Sequence, residues 1–221
     1  MLFKTIYDIP EEVLSRSQSP AFAQFLHHWF VDTMGLTRRE VDLTFLRDLT
    51  EEEREIAKDL LRRNLRLNYT HIIEGVAALN DVAAVPVLRG MLAEENDLSR
   101  KLIIAGTLWR LVRDPVFVDC LNRMKVNDRG ALRAAHFDQV LWLDDERAID
   151  LLIDLLDDSD TFVCFLALST LNRIEFERIF RSKKELPRSP EDYRPRRNDP
   201  AFRMLMVKHL QAHNAAVKNP S

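Results

Sequence analysis

Between residues 148 and 156 the run Ala-Ile-Asp-Leu-Leu-Ile-Asp-Leu-Leu places Leu152, Leu155 and Leu156 at i, i+3 and i+4, the spacing that lines apolar side chains along one stripe of a helix. A polar turn follows, Asp157-Asp158-Ser159-Asp160. Val163, Leu166, Ala167, Thr170, Leu171 and Ile174 then resume helical spacing, so the segment predicts two helices joined by a capped turn. Ser159 and Asp160 supply acceptors for the unpaired N–H groups that open the second helix. Similar polar turns stand at Asn68, Asn96-Asp97 and Asn127-Asp128, each between two apolar-periodic stretches. Pro115, directly after Asp114, suits a first helical position, where no N–H is needed.

The pattern repeats. Leu79, Leu108, Leu141 and Leu171 close successive apolar stretches, and Asp81, Asp114 and Asp145 follow the first three. A period near thirty residues predicts helix pairs that bury their apolar faces on one another. The pairs fall at residues 49–80, 84–111, 115–143 and 148–174, with the four leucines buried between neighbours. The predicted fold class is all-α, an α-α superhelix with a helical cap over residues 1–48, the pairs over 49–176, a basic proline-containing segment over 177–199 and a last helix with its tail over 200–221.

Residues 148–174 resemble a HEAT repeat, particularly the short type of bilin-lyase-like proteins, and residues 84–111 match it with one extra residue in the turn. The other two pairs fit less well. The resemblance implies a HEAT-like solenoid whose second helices line a concave side, which places Arg100, Lys101, Trp109, Arg110, Arg133 and Trp142 there as partner-binding residues. It does not choose a chemistry, since HEAT-like proteins include adaptors, inhibitors, lyases, hydroxylases and DNA glycosylases. For Trp109 and Trp142, packing between repeats is the plainer role.

The ends break the period. Phe22, Phe25, Leu26, Trp29 and Phe30 form an aromatic stripe near the N-terminus, read as cap core or as an apolar binding edge. Pro187, Pro190 and Pro195 predict an extended segment over about residues 182–199. Beyond it, Phe202, Leu205, Met206 and Leu210 predict an amphipathic helix over residues 200–217 that docks on the array.

Charge is unevenly spread. The net formal charge is −3, but from residue 176 onward 11 Lys and Arg stand against 5 Asp and Glu. The densest acidic run comprises Asp144, Asp145, Glu146, Asp150, Asp154, Asp157 and Asp158, with Asp160 beyond. Two readings compete for it: a solvent-facing ridge that steers a basic partner, or a surface onto which the basic tail folds back.

Candidate chemistry is thin. Cys120 and Cys164 are isolated and read as reduced core thiols. The HEAT-like hydroxylases use His-Glu dipeptides as iron ligands, and the chain has none. His71 with Glu74, and His209 with His213, each lack a third ligand at suitable spacing. No nucleophile elbow or phosphate loop occurs. The expectation is therefore a non-enzymatic, cytoplasmic protein-protein interaction module without cofactor or metal, in its narrower form an inhibitor or immunity protein that neutralises a basic, nuclease-like toxin. The alternatives are a HEAT-like DNA glycosylase, against which the acidic array speaks, and an assembly or chaperone factor like the bilin-lyase proteins. Neither a signal peptide nor a membrane span is predicted.

Overall fold

The computed structural model describes residues 6–15, 18–33, 43–127, 130–179 and 189–218, and every regular element among them is helical. The chain divides into two compact units, residues 1–117 and residues 118–219.

The first unit contains α1 (Glu11–Ser15), α2 (Pro20–Phe30), a 3-10 turn (Leu43–Arg47), α3 (Glu51–Asn64), α4 (Thr70–Ala78), α5 (Val85–Glu94) and α6 (Leu98–Val112). Two of these helices begin at one carboxylate. Glu53 is buried and accepts from Ser19 N and Oγ at 3.0 Å each and from Thr50 N and Oγ1 at 3.1 Å each. Ser19 is the N-cap of α2 and Thr50 that of α3, so the capping box of α3 also anchors α2. Burial alone would raise the Glu53 pKa; the four hydrogen bonds overcome it and hold the group below its ordinary value.

The aromatic stripe of α2 is core. Phe22, Phe25, Leu26, Trp29 and Phe30 are all buried, Phe25 stacks on Trp29 with centroids 5.1 Å apart, and Trp29 Nε1 donates to His71 O at 3.1 Å. That approach requires Gly75, because a Cβ at this position would overlap Trp29 Nε1. The N-terminal segment is tied down beside it, with Tyr7 Oη 3.1 Å from His71 Nε2 and Asp8 N donating to Asn64 Oδ1 at 2.7 Å. The second helices of the first two pairs, α4 and α6, pack on each other, and α5 packs on α6.

Asn68 departs from the expected capping role. It adopts a left-handed conformation, φ 56°, and ends the 3-10 turn that follows α3. Asparagine tolerates this conformation better than branched residues do, so it stops the first helix and leaves Tyr69 as the N-cap of α4.

The second unit carries α7 (Val116–Lys125), whose first turn lies at the unit boundary, then α8 (Gly130–Ala135), a 3-10 segment (Phe137–Trp142), α9 (Glu146–Asp154), a 3-10 turn (Leu155–Asp157), α10 (Thr161–Ile179), α11 (Pro190–Tyr193), a 3-10 turn (Arg194–Asn198) and α12 (Pro200–Lys218). The second helix of the third pair is thus broken in two. Phe137, Val140 and Leu143 are all buried, and their spacing of three matches the 3-10 repeat of three residues per turn.

Residues 189–198, part of the segment predicted to be extended, are helical turns instead. Ser189 and Asp192 form a capping box around Pro190, and a proline at the first helical position starts a helix as readily as it breaks one. Tyr193 is buried, and its hydroxyl donates to Asn172 Oδ1 at 2.9 Å. The last helix docks through Phe202, Met206 and Leu210, all buried, against α9. Leu79, Leu108, Leu141 and Leu171 are buried within their own units.

Candidate functional site

The acidic run lies along α9 and the turn after it, and the basic C-terminal segment covers it. Arg203 donates to Glu146 Oε2 and to Asp150 Oδ1, each at 2.8 Å. Arg197 pairs with Asp154 and donates to Asp150 O at 3.2 Å. Arg194 pairs with Asp157. Lys125 Nζ reaches Asp154 Oδ2 at 2.6 Å from the other side. The fold-back reading therefore describes this surface.

These contacts set the local pKa values. The hydrogen bond from Arg203 is the main reason Asp150 sits below the ordinary carboxylate value. Burial pushes Asp154 upward, but hydrogen bonds from Lys125 and Arg197 outweigh it and the net shift is downward. Arg203 is pushed up by its two carboxylates. Of the remaining acidic residues, Asp145 caps α9, accepting from Arg147 N at 2.9 Å and pairing with the Arg147 side chain. Asp144 lends its backbone oxygen to Gln211 Nε2 at 3.3 Å.

The side chains of Asp158 and Arg133 are largely buried. Arg133 Nη2 lies 2.6 Å from Asp158 Oδ1, with both side chains 5% exposed, and Arg133 also donates to Asn127 O. The solvent-facing position expected for Asp158 is corrected by this pair. Once the backbone brings two opposite charges together inside a unit, neither is available to a partner without breaking the other's compensation.

The other residues assigned to a concave face fall into separate units. In the first, Trp109 is buried against Phe117 with Arg113 over its ring, 5.1 Å from the centroid. Arg100 is exposed, its backbone N–H capped by Asp97 at 2.9 Å, while Lys101 and Arg110 are partly buried. In the second unit Trp142 is partly buried at the end of the 3-10 segment. Packing thus accounts for Trp109, and Arg100 is the most accessible cation of the set.

Each unit has an open cleft beside the polar turns of its helix pairs. The first, about 650 Å³, is lined by Arg66, Asn68, Val87, Gly90, Met91, Glu94 and Glu95. Asn68 Nδ2 donates across its edge to Glu95 Oε2 at 3.0 Å. Glu95 also accepts from Asp97 N and Asn96 N, and these bonds hold its pKa below the ordinary value. The second, about 620 Å³, is lined by residues of the Lys125, Arg133, Asp154 and Asp158 group already described.

Compared with protein-family models, with curated proteins and with solved structures, the chain matches none.

Two surface features escaped the sequence reading. Phe162 and Phe165 stand one turn apart on α10, 57% and 59% exposed. The stretch from residue 161 to 172 has no charged residue, so the first three turns of α10 are uncharged all round although one side faces solvent. That composition was the available signal. The second is Gly90, exposed in the middle of α5, where a Cβ would meet nothing within 4 Å. A glycine in a helix interior costs roughly 0.5–1 kcal/mol relative to alanine, and no contact within the first unit requires it.

Cys120 is buried and Cys164 partly buried, its Sγ donating to Leu156 O at 3.2 Å. Among the described residues no group of three or more His, Cys, Asp or Glu is arranged to hold a metal ion. No helix among them is long and apolar enough to cross a membrane.

Proposed function

We propose that the chain is a non-enzymatic protein-binding module, built as a HEAT-like α-α superhelix and acting in the cytoplasm. The observation that carries this reading is the exposed pair Phe162 and Phe165. Isolated apolar residues on a surface are ordinary, but two phenylalanines on one helix face with no charge between them match the aromatic-rich, charge-poor core of protein interfaces. The thirty-residue period of the helix pairs supports a repeat array, a scaffold suited to broad binding surfaces.

The narrower reading, an inhibitor or immunity protein for a basic toxin, draws no support from the acidic run of α9. Arg194, Arg197, Arg203 and Lys125 pair its carboxylates within the unit.

The test is affinity capture from the native host, repeated with the Phe162→Ser/Phe165→Ser double variant and followed by binding measurements with the purified partner. The reading expects a partner whose affinity falls at least tenfold in the double variant, since buried interface aromatics cost about 2 kcal/mol or more on truncation. A captured partner indifferent to both phenylalanines removes them as the binding surface. Failure to retain any protein above a scrambled control removes the reading itself.

A further inference from the structure

Three of the described glycines differ in what surrounds them. Gly75 makes room for Trp29, and Gly130 for Asp160, with a Cβ overlapping a neighbour in both places. Gly90 makes room for nothing in its own unit. It lies midway along a stripe of α5 formed by Val87, Gly90, Met91 and Glu94, at i, i+3, i+4 and i+7, and all four line the first cleft. Val87 is exposed, while Met91 rests on the core and turns part of its surface outward.

Charge marks the same cleft. Elsewhere on the unit, Arg62 pairs with Asp81, Arg63 with Asp59 and Arg89 with Asp114. Arg66 and Glu94, both exposed and both lining the cleft, make no ion pair among the described residues. The cleft therefore presents an apolar floor lowered at its centre by a missing side chain, with the unpaired Arg66 and Glu94 on its walls beside the hydrogen-bonded Glu95.

Building on the protein-binding reading, we infer that this cleft receives an α-helix of a partner protein, whose apolar stripe crosses α5 at Gly90 and whose acidic and basic residues face Arg66 and Glu94. A helix fits better than an extended strand. The backbone groups of α5 are committed to its own hydrogen bonds, so a strand laid on it would find no backbone partners there, whereas a helix arrives with its own already satisfied. Removing a Cβ lets two helix axes come to the short end of the usual 8–10 Å separation.

The test uses the full chain and a phage-displayed library of random peptides of about 16 residues, long enough to form a helix on binding. Selected sequences are expected to carry apolar residues at i, i+3 or i+4 and i+7 with at least one acidic and one basic residue. As synthetic peptides they gain helical circular dichroism when bound. Gly90→Trp should weaken them at least tenfold, and Glu94→Lys should weaken them until the peptide's basic residue is exchanged for Glu.

Gly90→Ala separates binding from folding. It should raise the melting temperature by about 1–4 °C through helix propensity while weakening the peptides. Peptides bound equally by wild type and Gly90→Trp, peptides that stay non-helical when bound, or no selected peptide at all would overturn the inference. Self-association abolished by Gly90→Trp would also overturn it, by making a second copy the occupant. Peptides lost only with Phe162→Ser/Phe165→Ser would overturn the cleft and leave the protein-binding reading standing.

Discussion

The Arg133 guanidinium and the Asp158 carboxylate meet at 2.6 Å with both side chains 5% exposed. Each neutralises a largely buried charge in the wall of the second cleft. Arg133→Met or Asp158→Ala alone should therefore cost about 3–5 kcal/mol, because the remaining charge is buried without compensation. Asp158→Lys should be as damaging, and the double replacement Arg133→Met/Asp158→Leu should recover much of the loss. Urea denaturation followed by circular dichroism checks this, and single-variant losses within about 0.5 kcal/mol of wild type would show the pair to be on the surface.

His71 makes the first unit sensitive to mild acid. Burial lowers its pKa in the folded chain, whereas in the unfolded chain it titrates near 6.5. Below that pH the unfolded chain takes up the proton first, so stability falls as pH drops from about 6.5 to the folded-state pKa. His71→Gln should flatten this slope. Denaturation midpoints measured from about pH 7.5 to pH 5 decide it, and a slope unchanged by the substitution assigns the effect to another group.

The α9 carboxylates act in a lower range. Asp150 and Asp154 have depressed pKa values, so their contribution is complete above the unfolded value near 3.9 and is lost as pH falls through the lower folded value. Arg203→Ala should return the Asp150 pKa upward, as read from its side-chain carboxyl signal in an NMR titration. An Asp150 titration that did not move would show that Arg203 does not hold it.

Gly75→Ala probes the fit between α2 and α4. The added Cβ would displace Trp29 and break its bond to His71 O. The expected cost is about 1–3 kcal/mol from overpacking and the lost hydrogen bond, with a shift in tryptophan emission. Unchanged stability and emission would mean that the indole relocates freely.

Helix pairing was legible because burial and hydrogen bonding are local and periodic. The pairs predicted at 49–80, 84–111 and 148–174 each hold two helices in the structure. The third pair was harder. Phe137, Val140 and Leu143 satisfy a three-residue repeat that a search for 3.6-residue periodicity absorbs into an ordinary helix. Pro190 misled for a related reason: proline marks both the end and the start of helices, and only the Ser189 and Asp192 cap decides which.

The surface was less legible because it depends on what meets what across dozens of residues. Asp150 and Arg203 are 53 positions apart, and composition gives their opposite signs without saying that they touch. Asp158 looked like one more member of a polar turn. Gly90 was silent for the opposite reason, since its interest lies in the absence of any neighbour that would require a glycine.

Glu53 joins the starts of α2 and α3 through one side chain. Lifting the first turn of either helix strips the buried Glu53 carboxylate of half its hydrogen bonds, so opening one end favours opening of the other. Amide protons near Phe22 and Glu53, separated by about thirty positions, should accordingly exchange with solvent deuterium at linked rates and share one opening free energy. Glu53→Gln retains much of the shape but weakens the charge-assisted bonds, and should speed both sets by a common factor.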